Sequence, residues 1–404
     1  MSNTAVTCSI VAKEALPILA NMLSFASGVN RDYESEFTGN VSRGYMPGST
    51  INIKKPPRYT YRQGRVAVPQ STVETSIPLT LAQGGCDLNF TSLERTLSFN
   101  KLEDKVRAAM EPVANEIDRQ GLQLARQTVF NTIGTPGTLP TTQALALAAI
   151  TGVNQRLDEM AAPRKDQNRR FVMNPALNAA TVQGFAGLFN SQSKLSDQFG
   201  SGLMVDSLGI GYAMDQNVDV HTNGTAVVNT NTVNGANQTG STITVAALNG
   251  TITKGTKITF ANVFAVNPQS RVSTGTLAQF VVTADAAASA TSISISPALT
   301  PTGAFQNVTN SPANSAVITI FGTASGSYNA NVAYHKDAFT LAMVPMWTPP
   351  GGKGVIDVAQ ESYKGFTLKV TEFYDGVNDN SIMRLDVLFG WASCYPELAC
   401  IYAT

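Results

Sequence analysis

The stretch TKGTKITFANVFAVNPQSRVSTGTLAQFVVTA (Thr253 to Ala284) alternates apolar and small polar residues between two turn signals, Lys254-Gly255 and Asn267-Pro268. Alternation with a period of two is the mark of strands that bury one face. The same texture extends outward in both directions. STITVAAL, TSISIS and AVITIF repeat it, and Asn249-Gly250 adds a further hairpin turn. From Thr222 to Ala330 the 109 residues contain only four charges, Lys254, Lys257, Arg271 and Asp285, while Thr, Asn and Ser dominate. Such a shift in composition predicts a separate all-β domain, a small barrel or sandwich, set into a different body.

That body reads as α+β. Leu102, Val106, Ala109, Val113, Ile117 and Leu124 form a helical stripe. Asn100 followed by Glu103 resembles a capping box, so one helix is predicted over Asn100 to Ile133, bent at Pro112 and weakened at Gly121. A second helix is predicted over Gln143 to Met160, a buried strand at RRFVMNP (Arg169 to Pro175), and helix again at NVAYHKDAFTLAMV (Asn331 to Val344). FTLKVTEFY and SIMRLDVLFGW read as a hairpin around Asp375-Gly376.

Two segments precede the long helix. Val11, Ala15, Ile18, Met22 and Phe25 make an amphipathic arm with Gly28 as its stop. A single short helix cannot hide its stripe, so the arm docks on the protein's own body or on another chain. Phe37 to Val73 holds six basic residues, Arg43, Lys54, Lys55, Arg58, Arg62 and Arg65, and no acid. STINIKK and RYTYR alternate there around Pro56-Pro57, which predicts an extended two-stranded flap broken in its middle. A further alternating segment, Thr72 to Ala82, leads to a break at Gly84-Gly85. Tyr59 and Tyr61 interleave with Lys55, Arg58 and Arg62, a pattern open to a solvated loop, to protein contact or to single-stranded nucleic acid. Contact with a neighbouring protein is the favoured reading.

The 404 residues carry 28 basic and 28 acidic side chains, and only 14% are charged, which argues against a main task of neutralising phosphate or anionic lipid. The four cysteines, Cys8, Cys86, Cys394 and Cys400, form no disulfide framework and no zinc spacing. His221 and His335, the only histidines, are expected at the surface or at an interface, and His335-Lys336-Asp337 at the start of a helix. No catalytic constellation, cofactor motif or metal-ligand set is expected, and no apolar run reaches the roughly 20 residues of a membrane helix.

These residues resemble the major capsid (coat) proteins of tailed bacteriophages. The subgroup is the one containing the coat protein of the short-tailed Salmonella phage, whose subunit has an inserted β-barrel domain. The resemblance is carried by IVAKEALPIL with VNRDYESEF, by Thr253 to Ala284, by NVAYHKDAFTLAMVP and by MRLDVLFGW. It implies the Hong Kong 97-type fold: N-terminal arm (1–36), E-loop and return strands (37–99), spine helix (100–133), peripheral and axial α+β body (134–221 with 331–404) and inserted barrel (222–330). It implies self-assembly into hexamers and pentamers of an icosahedral shell around double-stranded DNA, with scaffolding protein and portal as partners, assembly in the host cytoplasm, no enzymatic activity and no membrane. Ile18, Met22, Phe25, Lys54, Lys55, Arg58, Tyr59, Tyr61, Arg62 and Arg65 are the expected subunit-interface residues. The subgroup's long charged loop corresponds to Val227 to Gly240 here, which is shorter and uncharged. Some members of the fold join subunits through lysine–asparagine isopeptide bonds; none is expected at Lys54 or Lys55. The rival reading is a phage tail or adhesion protein with an immunoglobulin-like glycan-binding module, although the insert has almost no exposed-aromatic or acidic material for such a face.

Overall fold

A computed structural model describes residues 8–34, 37, 48–67, 69–72, 74–91, 102–185, 206–349 and 355–404. The capping residue Asn100, the side chain of Glu103, Arg43 and most of 35–47 lie outside the described residues. The chain forms two compact units. The first comprises 1–53, 77–121 and 340–392, the second 54–76, 122–339 and 393–404.

In the first unit, helix α1 (Cys8–Met22) packs on the antiparallel strands Val355–Tyr363 and Phe366–Asp375. Its buried side is Val11, Ala12, Ala15, Leu16 and Leu19, continued by Leu23 beyond its end, so the stripe is rotated from the expected one. The arm therefore docks on its own body. Pro17 sits inside α1 without ending it. The hairpin predicted around Asp375-Gly376 is present: Phe366–Asp375 pairs with Asn380–Ser393, in register from Lys369–Asp386 to Asp375–Asn380. The other side of Asn380–Ser393 pairs with Ala82–Thr91, which runs straight through Gly84-Gly85. These glycines are not a break. A Cβ on Gly85 would lie 2.4 Å from the Leu385 carbonyl oxygen, so the close strand approach requires glycine.

Helix α2 (Leu102–Thr128) is about 40 Å long at 1.5 Å per residue and contains Pro112. It stops short of Ile133 because Thr132–Gly134 leaves it to pair, in parallel, with Ala399–Ala403. In the first unit, Asp118 on this helix is buried. It accepts backbone N–H bonds from Ser24 (2.7 Å), Phe25 (3.1 Å) and Ala26 (2.9 Å). Those donors open a 3-10 turn, Ala26–Gly28, whose own N-cap residue offers no side-chain bond. Asp118 thus caps, from a distance in sequence, a turn that cannot cap itself.

In the second unit, a mixed sheet runs in the order Thr132–Gly134, Ala399–Ala403, Ser327–His335, Arg169–Met173, Gly211–Met214. Helix α3 (Gln143–Glu159) is N-capped by Thr142. Ala146, Ala149, Ile150, Val153 and Leu157 from α3, and Leu177 and Phe185 from helix α4 (Pro175–Phe185), share a core with Phe171, Met173 and Tyr402 of the sheet. The stretch Asn331 to Val344, expected as helix, is instead the end of strand Ser327–His335, a short 3-10 turn (Lys336–Ala338) and strand Phe339–Met343. Nearly every residue there is buried, and a strand covered on both faces loses the alternation that separates it from a buried helix.

A second sheet of this unit is ordered Asn231–Thr232, Val317–Ile320, Lys257–Val266, Ser273–Val282, Ser292–Leu299, Gly240–Thr244. Its two ends meet. Asn234 N donates to Thr244 O (3.1 Å) and Ala246 N to Thr232 O (2.8 Å), so the sheet closes on itself. Inside lie Ile243, Val245, Ile258, Phe260, Phe280, Ile293, Ile295 and Ile318. The register between Lys257–Val266 and Ser273–Val282 shifts after Thr259, near Asn262 at φ +60°, a bulge that bends the strand as closure demands. The chain enters and leaves side by side, since Thr222 is paired with Ser327.

Candidate assembly interface

The flap is a two-stranded ribbon, Thr50–Lys55 with Thr75–Thr80, supporting a loop whose described residues form no regular pairing. The prolines explain the change. Pro56 and Pro57 have no N–H to give a ladder, so the chain beyond them is held by side chains. Gln70 bridges the loop with its amide, Oε1 accepting from Thr60 N and Nε2 donating to Thr60 O, both at 2.8 Å. The Tyr59 and Thr72 hydroxyls are 3.1 Å apart.

Most of the flap's cations find partners in their own chain. Lys54 pairs with Glu74 across the ribbon (2.9 Å), and that carboxylate raises the Lys54 ammonium above its ordinary value. Lys55 stands over the Tyr395 ring at 5.2 Å. Arg58 donates to Glu397 (3.0 Å) and lies over Phe305 at 5.8 Å. Arg62 turns back on the Gly64 and Val66 carbonyls. Lys54, Lys55, Arg58 and Arg62, all expected at a subunit interface, thus each have a partner within their own chain. Arg65 is exposed, and so are Tyr59, Val66 and above all Tyr61, at 92%.

On the arm, Ile18 and Met22 remain partly exposed at the edge of the buried stripe. Phe25 does not. It is fully buried in the first unit, 5.3 Å from the Trp391 ring, whose Nε1 donates to Ile117 O (3.1 Å). A Cβ on Gly121 would lie 2.7 Å from Trp391 and 2.8 Å from Phe25, so this glycine of α2 makes room for the pair. Glu397, Tyr395, Phe305, Arg271 and Gln70 were not singled out from sequence. Arg58 and Glu397 are 339 positions apart, and no local pattern links them.

Neither histidine is at the surface, which corrects the expectation from composition. His221 is fully buried. Arg126 donates to its Nδ1 (2.9 Å), and arginine only donates, so Nε2 carries the proton and faces Thr256 Oγ1 (3.1 Å). Burial first, then the charges of Lys257 and Arg126, push its pKa down to about 3. Lys257 is buried too, and its Nζ donates to Arg126 O (2.7 Å), one of the carbonyls left open in the last turn of α2. Burial and Arg126 push its ammonium well below the usual range. His335 accepts from Asp337 N at the start of the 3-10 turn, and its Nε2 lies 2.7 Å from Asp166, whose carboxyl it holds down at about 2.

The family model of the P22 coat protein, gene protein 5, matches residues 88–403. Among solved structures, one from Mycobacterium phage Che8 superposes with a TM-score of 0.51 at 12% identity, covering 94% of this chain and 90% of that one. The capsid structure of the cyanophage P-SCSP1u gives 0.42 at 10% identity over 88% and 83%. The virus-like particle from Pyrococcus furiosus gives 0.43 at 9% over 97% of both. No curated protein matches. The first of these shares the fold over nearly its whole length.

Proposed function

The chain belongs to the P22 coat protein family, and from that premise we propose that its copies build the hexamers and pentamers of an icosahedral shell around a double-stranded DNA genome. It is the major capsid protein of a tailed phage with the α+β fold of the Hong Kong 97 type, and its role is structural. The family match over 88–403 carries this reading. The closed sheet between Thr222 and Ser327 supports an inserted barrel domain over 222–330, with peripheral and axial parts in the remaining body.

The mechanism is geometric. The arm packs at home, leaving Ile18 and Met22 at its edge, while Tyr59, Tyr61, Arg65 and Val66 form an outward face on the flap. These residues contact the adjacent subunit. Each contact can be as weak as about 4 kcal/mol, a millimolar affinity, because a closed shell engages many at once. Weak contacts also let misplaced subunits leave. Net neutrality limits repulsion among crowded copies. Scaffolding protein and a portal ring assist assembly in the host cytoplasm, and the finished protein resides in the virion capsid.

Electron microscopy of purified protein tests this: closed shells or capsomers are expected. Stable trimers that bind glycan would overturn it in favour of an adhesion protein.

A further inference from the structure

Four contacts converge on the root of the flap, all within the second unit. Arg58 reaches Glu397, and its guanidinium lies over Phe305; Lys55 lies over Tyr395; and Arg271 Nη2 donates to the carbonyl of Tyr59 (3.1 Å). The same Nη2 also donates to the Ala304 carbonyl outside the flap (3.4 Å). The backbone of Arg271 is anchored, its N–H donating to Asn267 O (2.9 Å). It closes a turn in which Asn267 Oδ1 accepts from the N–H groups of Gln269 (2.9 Å) and Ser270 (3.0 Å), while Asn267 Nδ2 donates to Glu159 O at the end of α3 (2.8 Å). Beneath the root lies a cavity of about 380 Å³, lined by Pro56, Pro57, Phe130, Phe280, Phe305 and Tyr395.

We propose that Glu397 and Arg271 form a latch that sets the flap's direction before assembly, Glu397 gripping the Arg58 side chain and Arg271 the Tyr59 backbone. They are positioning residues. The latch fixes the chain immediately before Tyr61, the most exposed aromatic of the flap, and so fixes where that ring is offered. An unanchored loop of this length would sample many directions, and only a fraction would suit a neighbour. The consequence for assembly rests on the coat-protein reading; the latch itself does not.

Limited trypsin cleavage of unassembled, full-length subunits after Arg62 and Arg65 reads the latch directly. Glu397→Gln and Arg58→Glu are each expected to speed cleavage about tenfold with unchanged circular dichroism, and the double variant Arg58→Glu/Glu397→Arg to return it towards the parent rate. Arg271→Ala, which alters no flap residue, is expected to speed it as well. Unchanged cleavage in the single variants, or a double variant no slower than they are, would overturn the latch. Normal shell yield from a fast-cleaved Glu397→Gln subunit would overturn its positioning role. Failure of the parent protein to form shells, with cleavage behaving as expected, would instead refute the coat-protein reading and leave the latch standing.

Discussion

Acid should act on the second unit through His221. Protonating this ring, which itself has no exposed surface, places an Nδ1–H against the guanidinium of Arg126, whose other side is paired with Asp219, and a new charge near Lys257. In the unfolded chain the same ring titrates near pH 6.5, whereas in the folded protein it does so at about 3. As pH falls through this window the unfolded chain takes the proton first. The stability contributed by the neutral ring is whole above 6.5 and is lost towards 3, at up to about 1.4 kcal/mol per pH unit. By pH 4 the loss is about 3 kcal/mol, a large part of a domain's usual margin. The substitution His221→Gln retains an acceptor for Arg126 and a donor for Thr256 but cannot titrate. Urea unfolding of dilute subunits, followed by circular dichroism at pH 7 and pH 4, should show the parent losing about 3 kcal/mol more than the variant. Other acid-sensitive groups are common to both proteins and cancel in the difference. Equal losses would mean that the ring is not kept neutral by its burial and its cationic neighbours.

Gly121→Ala should destabilise the first unit by about 1–2 kcal/mol, overpacking at Phe25 and Trp391 outweighing the helix propensity gained, and should shift the Trp391 emission. An unchanged melting temperature would refute the close fit. Asp118→Asn keeps the shape but weakens three bonds that end on one carboxylate, at a cost on the order of 1.5–3 kcal/mol, and should expose the chain around Ser24 to protease before the rest unfolds. Tyr61→Ala removes an exposed ring, so subunit stability should stay within about 0.5 kcal/mol while shell yield falls; undiminished yield would remove Tyr61 from the interface.

Some of this architecture was legible in one dimension. The closed sheet has one wet and one dry face, so Ile258, Phe260, Phe280 and Ile318 show in the sequence as alternation between turn signals. The long helix and the C-terminal hairpin were readable for the same reason. Asn331 to Val344 was not, because burial on both faces erased the periodic signal. The candidate interface was only half legible. Pro56-Pro57 and the basic, aromatic composition marked out a flap, but nothing in the order of residues tells a free cation from a satisfied one.

By itself the sequence determined periodicity, breaks and composition, since these depend on neighbours a few positions apart: an amphipathic arm, a ribbon interrupted by prolines, a rod and a β-rich stretch of low charge. Tertiary structure alone decided which charges would be met. It brought Glu397 to Arg58 across 339 positions, buried both histidines, and turned Leu16 and Leu19 rather than Ile18 towards the body. The reason is range: helix and strand patterns are written in contacts between near residues, whereas ion pairing and burial depend on groups the chain joins only after folding.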